Sequence, residues 1–73
     1  MIEIFGAPGC SRCKRLTMSL DRSGTTYDYI DVSTVEGMAE AAYREIMGRT
    51  LPVAYVDGVE RSYEDLVRSE AGE

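Results

Sequence analysis

Near its N-terminus the chain reads Ile2-Glu3-Ile4-Phe5-Gly6-Ala7-Pro8-Gly9-Cys10-Ser11-Arg12-Cys13. Apolar and polar side chains alternate over Ile2–Phe5, which predicts a strand, and the turn-forming run Gly6-Ala7-Pro8-Gly9 ends it. No Pro or Gly occurs between Ser11 and Ser23, so we expect a helix there that begins at or beside Cys10. Two cysteines separated by two residues are therefore predicted to lie where a strand turns into a helix.

The rest of the chain adds three predicted strands and two predicted helices. The strands cover Tyr27–Val32, Pro52–Val56 and Val59–Arg61. Asp57-Gly58, between the last two strands, is a strong signal for a hairpin turn. The resulting order is β-α-β-α-β-β-α, an α/β fold in which a parallel pair opens a four-stranded mixed sheet flanked by three helices.

The two later helices are predicted from their caps. Ser33 or Thr34 caps a helix over Val35–Met47, which Gly48 ends, and Ser62 caps a short last helix. Residues 71–73 are expected to fray at the C-terminus.

Composition restricts the classes of function. The chain has 73 residues, a net charge of −5 and 44% hydrophobic residues, and we expect residues 1–73 to form a single domain. An acidic chain is poorly suited to nucleic acid or an anionic membrane as its main partner. It shows neither a secretory signal nor an apolar run near the roughly 20 residues that span a bilayer. We therefore expect a cytoplasmic protein that acts as a monomer.

The two cysteines, Cys10 and Cys13, suit redox chemistry better than structure. The loop between them is too short for a useful structural crosslink, because the stabilisation grows with loop length. At a helix N-terminus, unpaired N–H groups and nearby basic residues stabilise a thiolate and lower its pKa below the free value of about 8.5. We therefore expect Cys10 to attack a substrate disulfide and Cys13, one turn on and buried, to resolve the mixed disulfide.

Four segments resemble glutaredoxins and the related NrdH-type redoxins of the thioredoxin superfamily. They are Ile4–Cys13, Gly48-Arg49-Thr50-Leu51-Pro52-Val53, Tyr55-Val56-Asp57-Gly58 and Glu64-Asp65-Leu66. The resemblance implies a thioredoxin fold, a thiol–disulfide oxidoreductase and a cis Leu51–Pro52 peptide facing the cysteines. It also implies that the Leu51 backbone pairs with a bound thiol peptide as an added strand would.

The resemblance further implies binding residues and partners. The implied contacts to substrate or glutathione are Arg12, Arg49, Thr50, Leu51, Pro52 and Asp65. Arg49 would grip a carboxylate with two parallel hydrogen bonds. We expect no bound cofactor, disulfide-containing proteins as substrates, and either glutathione, as a co-substrate, or thioredoxin reductase as the source of electrons.

The chain departs from both subfamilies. The residues between its cysteines are Ser-Arg instead of the Pro-Tyr familiar in glutaredoxins, and Ala7 replaces a frequent Lys. The Gly-Gly pair expected before Asp-Asp-Leu is missing, which weakens the case for glutathione. The Trp-Ser-Gly-Phe stretch usual in NrdH-type redoxins is also missing. The electron donor therefore stays open between the two sources.

A competing interpretation is a soft-metal or Fe–S cluster carrier that uses the same two cysteines. Two thiolates suit a soft metal ion. A structural zinc site needs four ligands, however, and the chain offers two Cys and no His. Small copper- or mercury-binding domains also need a hairpin after their first helix, where this chain predicts one strand. We therefore assign no metal ligands within one chain, and a cluster shared between two protomers stays the alternative.

Overall fold

The computed structural model describes residues 1–70, and the side chains of residues 1–68. Its elements follow the predicted order: β1 Ile2–Gly6, α1 Ser11–Arg22, β2 Asp28–Asp31, α2 Val35–Tyr43, β3 Val53–Val56, β4 Val59–Arg61 and α3 Tyr63–Glu70. The tail predicted to fray, residues 71–73, lies outside the described residues.

The four strands form one mixed sheet in the order β2-β1-β3-β4. Strand β1 pairs in parallel with β2 and antiparallel with β3, and β3 pairs antiparallel with β4. The β3–β4 turn is the predicted hairpin. Asp57 and Gly58 both have a positive φ, 51° and 85°, as a two-residue type I′ turn requires. The predicted fold class is confirmed.

Both faces of β1 are covered. Ile4 lies in a buried cluster with Leu16 and Leu20 of α1 and with Leu66 of α3. Phe5 points the other way, into a second cluster completed by Ala41, Ile46 and Val53. Ile4, Phe5 and Gly6 are therefore buried in succession, because a strand in the middle of a two-sided sheet has no solvent face.

Helix α2 ends earlier than predicted. The prediction placed its end at Gly48, but the helix stops at Tyr43 and Glu45 takes a left-handed conformation, φ 60°. The N–H of Ile46 then bonds to the carbonyl of Ala41, and that of Glu45 to Ala42, both at 3.0 Å, in the Schellman pattern. This turn brings Ile46 into the second cluster, so burial of an apolar side chain sets the helix end.

The caps behave as expected. The Thr34 hydroxyl accepts the Gly37 N–H at 2.9 Å, and the Ser62 hydroxyl accepts the Asp65 N–H at 3.0 Å. At the end of α1, Gly24 has a φ of 74°, which supplies the left-handed residue that closes this helix.

Candidate active site

A tight turn delivers the chain from β1 into α1. The Cys10 N–H bonds to the carbonyl of Ala7 at 3.3 Å, and Gly9 between them has a φ of 83°. Pro8 pre-sets the first central position of such a turn, and glycine allows the positive φ of the second. Cys10 is thereby held at the N-cap of α1 with an extended backbone, φ −88° and ψ 105°.

The sulfur of Cys10 takes the role that a Ser or Asp oxygen plays at other helix N-termini. It accepts the backbone N–H of Cys13 at 3.1 Å. The two sulfurs are joined in a disulfide, and the two α-carbons are 5.3 Å apart. The redox pair predicted from the sequence thus lies on the first turn of α1, with its first sulfur at the positive end of the helix dipole.

The two cysteines differ in exposure. Cys10 is half-buried, whereas Cys13 is only 2% exposed. Cys10 opens into a surface cavity of about 510 Å³, whose lining also includes Pro8, Lys14 and Thr17. A substrate can therefore approach Cys10, while Cys13 is shielded beneath it.

Two residues that lie beside the cysteines were not predicted from the sequence as part of the site. Gly6 lies beneath Cys13, and a Cβ built on it would come within 2.9 Å of the Cys13 sulfur. Tyr29 lines the same cavity as the cysteines. In the parallel register Tyr29 pairs with Ile4, so its side chain lies on the same face of the sheet as α1. The alternation of side chains along β2 shows which residues share a face with Tyr29, but not which face that is. That register is not readable from the sequence.

The loop before β3 carries the implied cis peptide. The Leu51–Pro52 bond is cis. Leu51 packs against the second core cluster, and Pro52 is half-buried. Neither residue lines the Cys10 cavity among the described residues, so pairing of the Leu51 backbone with a bound peptide stays a prediction.

Arg49 already holds a carboxylate of its own chain. Its guanidinium bonds to both carboxylate oxygens of Glu60 on β4, one at 3.2 Å. This contact lowers the pKa of Glu60 and raises that of Arg49. Both side chains are nearly half exposed, so the pair is screened by solvent. Thr50, next to Arg49, is exposed.

Arg12 and Asp65 lie near the α1–α3 junction. The guanidinium carbon of Arg12 is 5.4 Å from the centroid of the Tyr63 ring, in cation–π contact. The side chain of Asp65 pairs with Arg68 of the same helix at 3.9 Å. No described residue among the six implied binding residues lines the Cys10 cavity itself. Their contacts with substrate or glutathione, outside this cavity, therefore stay predictions.

Within residues 1–70, no three or more His, Cys, Asp or Glu side chains are grouped so that they could hold a metal ion. The described helices also include none long and apolar enough to cross a membrane.

Comparison with known proteins decides the family. The glutaredoxin family model matches residues 2–60, most of the chain, including both cysteines and the cis-proline loop. The chain belongs to the glutaredoxin family. No curated protein matched it.

A solved structure supports the same assignment. The chain is similar to the glutaredoxin-like protein NrdH-redoxin from Escherichia coli, with 26% identity and a TM-score of 0.70 over 92% of this chain and 91% of that one. That protein is described as having a thioredoxin-like activity profile. The present chain is thus a glutaredoxin-like redox protein with a thioredoxin-like fold and a vicinal cysteine pair.

Proposed function

We propose that this glutaredoxin-family protein reduces protein disulfides or mixed disulfides by a dithiol mechanism. The Cys10 thiolate attacks one sulfur of the substrate disulfide. A Cys10–substrate disulfide forms as that S–S bond breaks, and the departing sulfur takes a proton from water. Cys13 then loses its proton to solvent and attacks the Cys10 sulfur. The Cys10–Cys13 bond forms, the Cys10–substrate bond breaks, and the second substrate sulfur leaves as a thiolate that takes a proton from water. Two electrons pass from the protein to the substrate.

One observation carries the proposal. The Cys13 N–H points at the Cys10 sulfur from the first turn of α1, at 3.1 Å. A hydrogen bond to a charged group is stronger than one to a neutral group, so this donor favours the thiolate over the thiol. The thiolate is the nucleophile in disulfide exchange. The half-buried Cys10 sulfur is thus the attacking one, and the buried Cys13 sulfur lies within bonding distance of it.

Two features favour a thioredoxin-reductase-type enzyme over glutathione as the electron donor. The Arg49 guanidinium, the implied grip for a glutathione carboxylate, is occupied by Glu60. The Gly-Gly pair that would let a peptide backbone approach closely is also missing from the sequence. The similar NrdH-redoxin is described as thioredoxin-like in activity, which agrees with this choice.

The cysteine roles are tested with two single variants in a disulfide-reduction assay. Cys10→Ser should abolish reduction and should form no mixed disulfide. Cys13→Ser should abolish turnover of protein disulfides but should still trap the substrate on Cys10, which mass spectrometry detects. If Cys13→Ser forms no mixed disulfide while Cys10→Ser does, the two roles are reversed.

The electron donor is tested by supplying each source separately. The protein is assayed with NADPH plus thioredoxin reductase, and with NADPH, glutathione reductase and glutathione. NADPH consumption should be faster with thioredoxin reductase at equal protein concentration. Faster consumption with glutathione would contradict the preferred donor, and consumption with neither would contradict the reductase function.

A further inference from the structure

Tyr29 lies beside the buried cysteine. It belongs to β2, an edge strand, and it pairs with Ile4, so its ring lies on the sheet face that α1 covers. A Cβ built on Gly6 would be 2.6 Å from the Tyr29 hydroxyl oxygen and 2.9 Å from the Cys13 sulfur. Those two atoms are therefore at most 5.5 Å apart, the sum of these two distances. Glycine at position 6 leaves the space between them open.

We propose that Tyr29 assists the second step of the reaction, by donating a hydrogen bond from its hydroxyl to the Cys13 sulfur as that sulfur becomes a thiolate. This inference rests on the proposed dithiol function. It assigns a role to a residue that neither the Cys-x-x-Cys motif nor the cis-proline loop contains.

The second step needs such a donor. Cys13 is only 2% exposed, and burial without a hydrogen-bond partner disfavours a charged group. The Cys13 amide does not supply it, because this N–H is directed at the Cys10 sulfur instead. The Cys13 side chain points towards Gly6 at the sheet, where the Tyr29 hydroxyl lies.

Tyrosine is suited to donate and to remain neutral. Tyr29 is 43% exposed; its partial burial, and then the negative charge of Asp31 two residues along β2, raise its pKa from the usual 10.0. The hydroxyl therefore keeps its proton at neutral and mildly alkaline pH. It stabilises the Cys13 thiolate without accepting its proton, which passes to solvent as in the proposed mechanism.

Tyr29 has a basic side chain near it on one side and several acidic side chains on the other. Towards α1, the Cys10 cavity contains one charged side chain among the described residues, Lys14. On its other side Tyr29 borders a cavity of about 550 Å³ with five acidic residues, Glu3, Asp28, Asp31, Glu36 and Glu40. These groups must be kept unchanged in any variant whose pH dependence is compared.

The two steps can be separated in a single trace. Reduced protein is mixed in a stopped-flow instrument with an excess of an aromatic disulfide whose thiolate absorbs visible light. The first thiolate is released when Cys10 attacks, and the second when Cys13 resolves the mixed disulfide. Each phase thus reports one cysteine.

Tyr29→Phe removes only the hydroxyl and keeps the ring. We expect the second phase at pH 7 to slow about tenfold, as for loss of one hydrogen bond to a charged group, and the first phase to be unchanged. The midpoint of the second phase against pH should also move upwards, which loss of packing would not cause.

The matched control is Tyr27→Phe. The Tyr27 hydroxyl bonds to Asp21 at 2.9 Å, at the far end of α1 from the cysteines, so this change should leave both phases unchanged. The inference is overturned if Tyr29→Phe leaves the second phase and its pH midpoint unchanged, or slows both phases equally. The dithiol function fails separately, if the native protein lacks the second phase or Cys13→Ser retains it.

Discussion

The backbone N–H of Cys13 and the sulfur of Cys10 are joined by a hydrogen bond of 3.1 Å. Cys13 thus contributes twice to the site: its amide donates to the Cys10 sulfur, which we propose attacks the substrate, and its own sulfur completes the redox pair. This double use is possible because Cys10 occupies the N-cap of α1 and Cys13 the third helical position, where the amide has no partner within the helix.

The first prediction tests that hydrogen bond. With Cys13→Ser, the amide remains, and we expect the apparent pKa of the Cys10 thiol to lie below the free value of about 8.5 by ultraviolet titration. With Cys13→Pro, the amide is lost, and alkylation of Cys10 at pH 7 should slow about tenfold. Proline is tolerated in the first helical turn, and the unfolding midpoint checks that the variant folds. Equal alkylation rates would contradict the role of the amide.

The second prediction concerns Gly37 in the first turn of α2. A Cβ on this residue would lie 1.8 Å from the carbonyl oxygen of Asp31, so α2 would have to move away from β2. Gly37→Ala should therefore lower the free energy of unfolding by about 1–3 kcal/mol, measured by urea denaturation.

The sign of this change separates the close contact from helix propensity. Propensity alone predicts that Gly37→Ala stabilises the helix by about 1 kcal/mol. A stabilised Gly37→Ala variant would show that the close approach to Asp31 is absent in solution.

The third prediction concerns the carboxylate that occupies Arg49. Glu60→Gln removes the charge that the guanidinium grips. Arg49 should then be available to the glutathione carboxylate, and the KM for a glutathionylated substrate should fall about two- to fivefold, as for recovery of a solvent-exposed ion pair. Glu64→Gln removes the same charge from α3 and is the control. An unchanged KM in Glu60→Gln would remove Arg49 from the candidate glutathione contacts.

The fourth prediction is a pH dependence of stability. The hydroxyl of Ser33, and then its backbone N–H, bond to the Asp31 carboxylate at 2.7 and 2.9 Å and lower its pKa below 3.8. Since the folded pKa lies below the unfolded one, this stabilisation is present above pH 3.8 and is lost as the pH falls through the folded value.

Urea midpoints between pH 7 and pH 2 measure this effect. Asp57, bonded to the N-terminal ammonium group, and Glu60 contribute with the same sign, because the pKa of each is lowered. Asp31→Asn should flatten the acid limb of the curve. A variant that loses stability with falling pH as steeply as the native protein would contradict the contribution of Asp31.

Features encoded within a few residues were predicted from the sequence. The Pro8-Gly9 turn, the N-cap at Cys10, the Asp57-Gly58 hairpin and the Ser62 cap depend on the conformations that individual residues allow, so they can be read locally. The end of α2 could not be read in this way. Glu45 is an ordinary helix former, and its left-handed conformation appears only because it lets Ile46 reach the buried cluster with Ala41.

What the sequence determined by itself is the cysteine pair at the start of a helix, the element order and hence the family. Only the tertiary structure decided which distant residues meet: Tyr29 with Cys13 across Gly6, Arg49 with Glu60, and Gly37 with Asp31. The physical reason is strand register. A shift of β2 by one residue along β1 would turn Tyr29 to the opposite face of the sheet, and that register is set by packing of the whole sheet against its helices.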